Sequence, residues 1–130
     1  MTTGDWMDLT VMERKKYNYL CEVMDLSQQI GATLDRNDVV SLKMLVAMRN
    51  DPILALQELE HSMKERRKVL TQPEQERVTA LLSGKAQPKD NTEQTFCKQA
   101  GLAHRELQRV LELDRRINLR MAGDSSFYKQ

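Results

Sequence analysis

The chain has 130 residues, in which 20 basic and 19 acidic side chains leave a formal net charge of +1. This balance excludes a strong overall attraction to nucleic acid or to an acidic membrane surface. Aromatic residues supply only 5% of the sequence and charged residues 30%, a composition typical of helices that each bury one apolar stripe. Length and composition therefore predict one all-α domain over residues 1–130.

The N-terminal region and the two cysteines indicate a reduced, cytoplasmic protein. Asp5 and Asp8 stand where a signal peptide would have basic residues, and no run approaches the roughly 20 apolar residues that a transmembrane helix needs. Cys21 and Cys97 are isolated in the sequence and lack metal-ligand spacing. We therefore expect no membrane insertion, no metal and no cofactor.

The first long helix is predicted from about Leu9 to Leu34, after an N-terminal segment, residues 1–8, that shows no period. Its apolar residues recur in steps of three and four, which places them on one helix face. They are Leu9, Met12, Tyr19, Leu20, Val23, Leu26, Ile30 and Leu34. The connection at 35–37 is so short that the next helix must run antiparallel to the first.

A second amphipathic helix is predicted from Asn37 to Leu70, and at about 1.5 Å per residue it would be on the order of 50 Å long. Such a length predicts a rod-like molecule. The apolar stripe of this helix consists of Leu42, Leu45, Val46, Ile53, Leu56, Leu59, Met63 and Leu70. Because Pro52 lacks an N–H and crowds the preceding turn, we expect a kink there, or a restart capped by Asp51.

Residues 71–91, the connection to the third long helix, contain turn signals at both ends. The sequence Thr71-Gln72-Pro73 indicates a helix start, and a short extra helix is predicted over Glu74 to Leu82. Residues 85–91 are polar and include Pro88, which predicts a mobile loop. The sequence leaves open whether this connection folds back over the long helices.

The third long helix is predicted from about Glu93 to Ala122, with Thr92 as its cap. Residues 123–130 are predicted to form a flexible tail. The helix has a stripe with steps of four and three, made of Phe96, Ala100, Ala103, Leu107, Val110, Ile117 and Met121. The predicted architecture is an elongated antiparallel helical hairpin plus a third long helix, which together form a coiled-coil-like three-helix bundle.

Asp114 occupies the one polar step in the stripe of the third helix. The number of residues from the predicted start of this helix to Asp114 equals the number from Arg49 to the predicted end of the second helix. If these helices are antiparallel, the two side chains meet at one level. We therefore predict an Arg49–Asp114 ion pair that fixes register. The alternative is that helix rotation leaves both groups at the solvent edge.

No group of residues indicates catalysis, so we expect no enzymatic activity. Glu58 and His61 form a Glu-x-x-His step of the kind found in di-iron bundles, but Gly101 stands at the matching place before His104. We therefore expect neither catalytic nor metal-binding residues. An all-helical enzyme that binds a dicarboxylate through arginines is a third and more distant hypothesis.

A basic stripe on the third helix would suit binding to phosphate groups. It consists of Lys98, Arg105, Arg109, Arg116 and Arg120. The stripe lacks neighbouring aromatic residues on which bases would stack, so a solvated face is the favoured interpretation. A helical regulator that associates with nucleic acid through this stripe is the alternative function.

Several apolar residues lie outside the predicted stripes and indicate a surface for a partner helix. They are Met44, Leu54, Leu102, Leu113, Leu119, Phe127 and Tyr128. Methionine side chains are numerous and adaptable, a property of surfaces that accept more than one helix. The alternative is that these residues are buried in a homodimer or under the loop.

Two stretches of the chain share a pattern with a known family. The first consists of Leu26-x3-Ile30, Leu34-Asp35-Arg36-Asn37-Asp38, Leu42-x2-Leu45-x3-Arg49, Leu54-x-Leu56-x2-Leu59 and Arg66-Arg67. The second consists of Asp114-Arg115-Arg116-Ile117-Asn118-Leu119-Arg120 and the tail Ser125-Ser126-Phe127-Tyr128. Together they resemble the flagellar type III export chaperones of the FlgN kind. The resemblance covers residues 10 to 128, and Pro52 departs from it.

The resemblance implies a cytoplasmic chaperone without enzymatic activity. It would bind helical segments of flagellar hook-filament junction subunits, prevent their premature assembly and deliver them to the export apparatus. Partner binding would then use the C-terminal helix and tail. By position, we assign it to Leu113, Ile117, Leu119, Met121, Phe127 and Tyr128.

Overall fold

The computed structural model describes the backbone of residues 1–129 and the side chains of residues 1–122. It contains the helices α1 (Thr3–Arg36), α2 (Val39–Lys68), α3 (Gln72–Leu82) and α4 (Asn91–Lys129). Residues 1–129 include no strand, so the predicted all-α class is confirmed for this part of the chain. None of the described helices combines the length and the apolar character that crossing a bilayer requires.

Helix α1 begins six residues before the predicted start at Leu9, so most of residues 1–8, which show no period in the sequence, are helical and the predicted start is wrong. The reason is a capping box. The Asp5 amide donates to the Thr2 hydroxyl at 3.1 Å, and the Thr2 amide donates to the Asp5 carboxylate at 2.9 Å. The two bonds satisfy free amides of the first turn, and the buried ring of Trp6 anchors that turn to the rest of the fold.

The line of buried residues along the core-facing side of α1 includes one acidic side chain, Glu13, and one hydroxyl side chain, Ser27. Its members follow steps of three and four, interrupted only at Lys16, and are Trp6, Leu9, Glu13, Leu20, Val23, Ser27, Ile30 and Leu34. Three residues predicted for the stripe, Met12, Tyr19 and Leu26, are only half-buried. Each of the three lies one position before a residue of this line and therefore at the edge of the core. Two positions on the line itself are occupied by polar residues, Glu13 and Ser27.

Helix α2 runs through Pro52 without interruption. The proline ring is buried, and the exposed Asp51 caps no restart. Because Pro52 has no N–H, the carbonyl one turn earlier, at Met48, loses its helical partner. Burial of the apolar ring is favourable and helps to offset that loss.

Helix α3 lies in the predicted connection and packs on the long helices through its buried side chains Val78 and Leu81. A second capping box starts it, in which the Thr71 amide donates to Glu74 at 2.8 Å. The chain between α3 and α4 is non-helical at residues 83–90, close to the predicted loop at 85–91. The connection therefore folds back over the long helices, a point that the sequence leaves open.

The start of α4 differs from the predicted cap. The Glu93 amide donates to the Asp90 carboxylate at 2.9 Å, so Asp90 takes the role predicted for Thr92. Helix α4 also continues past the predicted end at Ala122 to Lys129. The side chains of residues 123–130 are outside the described part, and so is the prediction of a flexible tail.

Three clusters of buried side chains follow one another along α1, which packs against both α2 and α4. The first cluster consists of Trp6, Leu9, Leu70, Val78, Leu81, Phe96 and Ala100. The second consists of Leu20, Val23 and Val110. The third consists of Ile30, Leu34, Leu45 and Ile117. Helix α4 enters the clusters in the same order as α1, so the two helices are parallel. Helix α2 is antiparallel to both, because Leu45 near its start lies in the third cluster, whereas Arg66 near its end pairs with Asp5 in the first turn of α1.

Candidate functional site

The six residues assigned to partner binding lie in different environments. Leu119 is 62% exposed and Met121 is 39% exposed, whereas Leu113 is half-buried. Ile117 is only 5% exposed. The remaining two, Phe127 and Tyr128, are outside the described side chains. Among the described side chains, the exposed apolar groups near the end of α4 are therefore Leu119 and Met121. They lie two residues apart and so on opposite flanks of the helix, whereas the half-buried Leu113 lies closer to the core.

The assignment of Ile117 to a partner surface is wrong. Its side chain lies in the third core cluster with Ile30, Leu34 and Leu45. Ile117 occupies a core-facing step of α4, because it follows Val110 and Asp114 in the alternation of four and three. A residue on that line holds the long helices together and is inaccessible to a partner.

A shallow cleft of about 370 Å³ lies between the last turns of α1 and the C-terminal half of α4. Leu113 and Gly31 line it, together with the charged groups Asp35, Arg116 and Arg120. A methyl group added at Gly31 would meet nothing within 4 Å, so the space above this glycine is open. Sequence reasoning missed the role of Gly31, because a missing side chain gives no periodic signal.

A second exposed apolar surface lies on the outer face of α2. It consists of Val40, Met44, Met48 and Leu54. Met44 and Leu54 are predicted from the sequence to lie outside the stripe, and both are exposed. Leu111 on α4 is exposed as well and was missed, whereas Leu102 is half-buried.

One polar layer crosses the core between the second and third clusters. Arg49 Nη1 lies 2.7 Å from Asp114 Oδ1 and 3.1 Å from Ser27 Oγ. The predicted pair thus meets, and Ser27, which the sequence did not single out, completes the layer. Ser27 is fully buried, so its hydroxyl is closed to substrates and the layer has a structural role.

The predicted basic stripe of α4 is interleaved with acidic partners. Arg109 lies 3.0 Å from Glu106 and Arg116 lies 3.5 Å from Glu112, while Arg120 is paired with Asp35 of α1. The two remaining members, Lys98 and Arg105, form no ion pair within residues 1–122. Pairing of this kind reduces the charge that the stripe offers to phosphate groups.

The Glu-x-x-His step of α2 lies on the surface, since Glu58 and His61 are both exposed. Among the residues whose side chains are described, no three histidine, cysteine, aspartate or glutamate side chains form a group that could hold a metal ion. These observations leave the geometry of α4 and its cleft as the basis for a functional hypothesis.

A different cleft, of about 320 Å³, lies at the opposite end of the molecule. Glu13 and Lys16 of α1, Arg67 of α2 and His104 of α4 line it. The sequence did not indicate this cleft, since its residues come from separate helices and only packing brings them together.

Comparison of the chain with protein-family models, with curated proteins and with solved structures finds no match in any of the three.

Proposed function

We propose that this chain is a cytoplasmic, non-enzymatic export chaperone. It binds helical segments of flagellar hook-filament junction subunits, prevents their premature assembly and delivers them to the export apparatus. In this proposal the three long helices form an elongated, coiled-coil-like bundle that presents the end of α4 to the client. The identity of the client comes from the resemblance around Leu34-Asp35-Arg36-Asn37-Asp38.

The single observation that best supports the proposal is the position of Leu119 and Met121. Arg120, which lies between them, pairs with Asp35, one residue before the end of α1. Helix α4 then continues to Lys129. The exposed apolar groups therefore lie where α4 reaches the end of its neighbour, a place where a client helix has access.

The cleft beside Gly31 provides a groove at this end of the molecule, lined by Leu113 and Arg120. An amphipathic helix places apolar side chains at steps of three and four into such a groove. Leu113 would contact one of these side chains from within the cleft, and Leu119 and Met121, on the two flanks of α4, would contact the client on either side of it. At the rim, Arg116 is already paired with Glu112 and Arg120 with Asp35, so the groove would recognise the client helix chiefly through its apolar face.

The proposal is tested by the affinity of the full chain for a purified hook-filament junction subunit. The double substitution Leu119→Glu with Met121→Glu places two charges on the surface and removes two apolar contacts. If each contact contributes about 1.5 kcal/mol, the complex should weaken by about 100-fold. Calorimetric titration measures this change.

The matched control uses two exposed apolar residues of α2. The substitutions Met44→Glu and Leu54→Glu introduce the same charges on the outer face of α2 instead of α4, and they should leave the affinity unchanged. Failure of the wild-type chain to bind the subunit would overturn the chaperone proposal. Equal weakening by both pairs of substitutions would overturn the assignment of the site.

A homodimer is the competing use of the same surface. If Leu119 and Met121 are buried against a second copy, the wild-type chain will sediment as a dimer and the double substitution will convert it to a monomer. Sedimentation equilibrium of the two proteins distinguishes this outcome from client binding, for which both proteins have the mass of one chain.

A further inference from the structure

The 320 Å³ cleft near the start of α1 is bounded by all four helices. Its size falls at the lower end of the range for small-molecule pockets. On one side, α4 contributes Cys97 and His104 and, between them, the small residues Ala100 and Gly101, which leave space unfilled. On the other side, α3 contributes Leu81 and Leu82, so one wall of the cleft is aliphatic.

The base of this cleft contains a buried carboxylate. Glu13 is only 5% exposed, yet its side chain makes no hydrogen bond and no ion pair with any residue whose side chain is described. Burial raises the pKa of Glu13, an effect that the positive charges of Lys16 and Arg67 partly offset. Its oxygens still reach the solvent of the cleft, since no fully buried polar atom among the described side chains lacks a partner. The N–H groups of a ligand can therefore replace water at this carboxylate.

The two cations near Glu13 differ in their partners. Lys16 Nζ lies 3.1 Å from Glu60 Oε1, so its charge is already paired across α1 and α2. The half-buried Arg67 forms no ion pair within residues 1–122. Besides the paired Lys16 and the exposed His104, the cleft therefore presents one acceptor-only group, Glu13, and one donor-only group, Arg67, beside an aliphatic wall.

We propose that this cleft binds a small zwitterionic amino acid with an aliphatic side chain. Its ammonium group donates to the Glu13 carboxylate, its carboxylate accepts from Arg67, and its side chain packs against Leu81 and Ala100. This small-molecule site is separate from the client surface at the other end of α4. Because the bound molecule contacts all four helices, it stabilises the folded chain.

The probe for this proposal is L-leucine, titrated into the full chain and followed by amide chemical shifts. We expect saturable binding with a dissociation constant of about 1 mM or tighter, with the largest shifts at residues 97–104. Isoamylamine and 4-methylpentanoate are matched controls, since each keeps the aliphatic group and only one of the two charges. Each should bind at least about tenfold more weakly than L-leucine, because it leaves one protein charge without a partner.

Substitutions locate the site within the chain. Glu13→Gln and Arg67→Gln should each reduce L-leucine affinity about tenfold or more, and Gly101→Leu should abolish binding by filling the cleft. A side chain at Gly101 fits the helix, since an added Cβ would lie 3.6 Å from Arg105 Nη1. Glu22→Gln, on the exposed face of α1, is the control and should leave binding unchanged.

Three results would overturn the proposal. They are no saturable L-leucine binding to the wild-type chain, binding of the two single-charge analogues as tight as that of L-leucine, and undiminished L-leucine binding to the Gly101→Leu protein. The last result decides the matter even if a charge substitution prevents folding, because leucine is a better helix former than glycine and this variant should fold. Circular dichroism of each variant verifies its helix content.

Discussion

The guanidinium group of Arg49 joins α2 to both of the other long helices, since one nitrogen lies 2.7 Å from Asp114 on α4 and 3.1 Å from Ser27 on α1. Both hydrogen bonds lie at the same level of the core. A charged layer among apolar layers favours one alignment of the helices, because a shift by one turn would bury the charges without partners.

Removal of Arg49 should therefore destabilise the fold. Arg49→Met leaves the Asp114 carboxylate without its charged donor, and we expect a loss of about 2 kcal/mol in the free energy of unfolding. Urea denaturation followed by circular dichroism measures it. Asp114→Leu combined with Arg49→Met should recover most of the loss, since neither charge is left unpaired. A double variant as unstable as Arg49→Met would contradict this account.

The buried Glu13 should make stability depend on pH in an unusual direction for a carboxylate. Burial raises its pKa above the ordinary 4.5, so the folded state holds this proton more tightly than the unfolded chain. The contribution of the protonated group to stability is complete below pH 4.5 and is lost as pH rises through the folded-state pKa.

Comparison with Glu13→Gln isolates this effect from the other carboxylates. Without added ligand, the variant should be more stable than the wild-type chain at neutral pH, and the difference should shrink as the pH is lowered below the folded-state pKa. Urea denaturation of both proteins at a series of pH values measures it. A difference that stays constant over that range would show that burial does not perturb Glu13.

The ion pair between Arg77 and Glu93 should hold α3 against α4. Arg77 Nη2 lies 2.6 Å from Glu93 Oε1, the carboxylate is buried, and the Lys89 amide also donates to it at 3.0 Å. Arg77→Met should lower the free energy of unfolding by about 3 kcal/mol, because it leaves a buried charge without its main partner. Arg115→Met, which removes an exposed ion pair, is the control and should have an effect within about 0.5 kcal/mol.

The Arg77–Glu93 pair also predicts a loss of stability in acid. Arg77 is the main cause that lowers the pKa of Glu93. A group with a lowered folded-state pKa stabilises the fold above its unfolded-state pKa, and this stabilisation is lost as pH falls through the folded-state pKa. The Arg77→Met protein should show a smaller acid-dependent loss than the wild-type chain in the same denaturation series. An equal loss in both proteins would contradict this linkage.

The basic stripe of α4 should bind nucleic acid weakly. Only Lys98 and Arg105 of its five members form no ion pair within residues 1–122, so the slope of log affinity against log salt should be no steeper than about −2. Fluorescence anisotropy with labelled duplex DNA at several salt concentrations measures the slope. A slope of about −5 would instead favour the alternative of a nucleic-acid-associated regulator.

The long helices could be predicted from the sequence because steps of three and four are a local signal. The same periodicity, with the chain direction, brought Arg49 and Asp114 to one level. The early start of α1 was missed since the Thr2 and Asp5 capping box lies outside the periodic region. Glu13 was missed because a polar residue within an amphipathic pattern is expected on the solvent side.

The two clefts could not be predicted from periodicity, because both depend on side chains that are small or missing. Gly31 opens the space beside Leu113, and Ala100 and Gly101 open the space above Glu13. Whether a glycine or an alanine leaves a cavity depends on what the neighbouring helices place opposite it. Only the packed structure contains that information.

The single tryptophan of the chain, Trp6, is buried against Phe96, with ring centroids 5.2 Å apart. Its fluorescence therefore reports on the end of the molecule where α3 closes over the long helices, whereas ellipticity averages over every helix. If heating separates the two ends, the emission and ellipticity curves will have different midpoints. Coincident curves will mean that both ends of the protein unfold together as one cooperative unit.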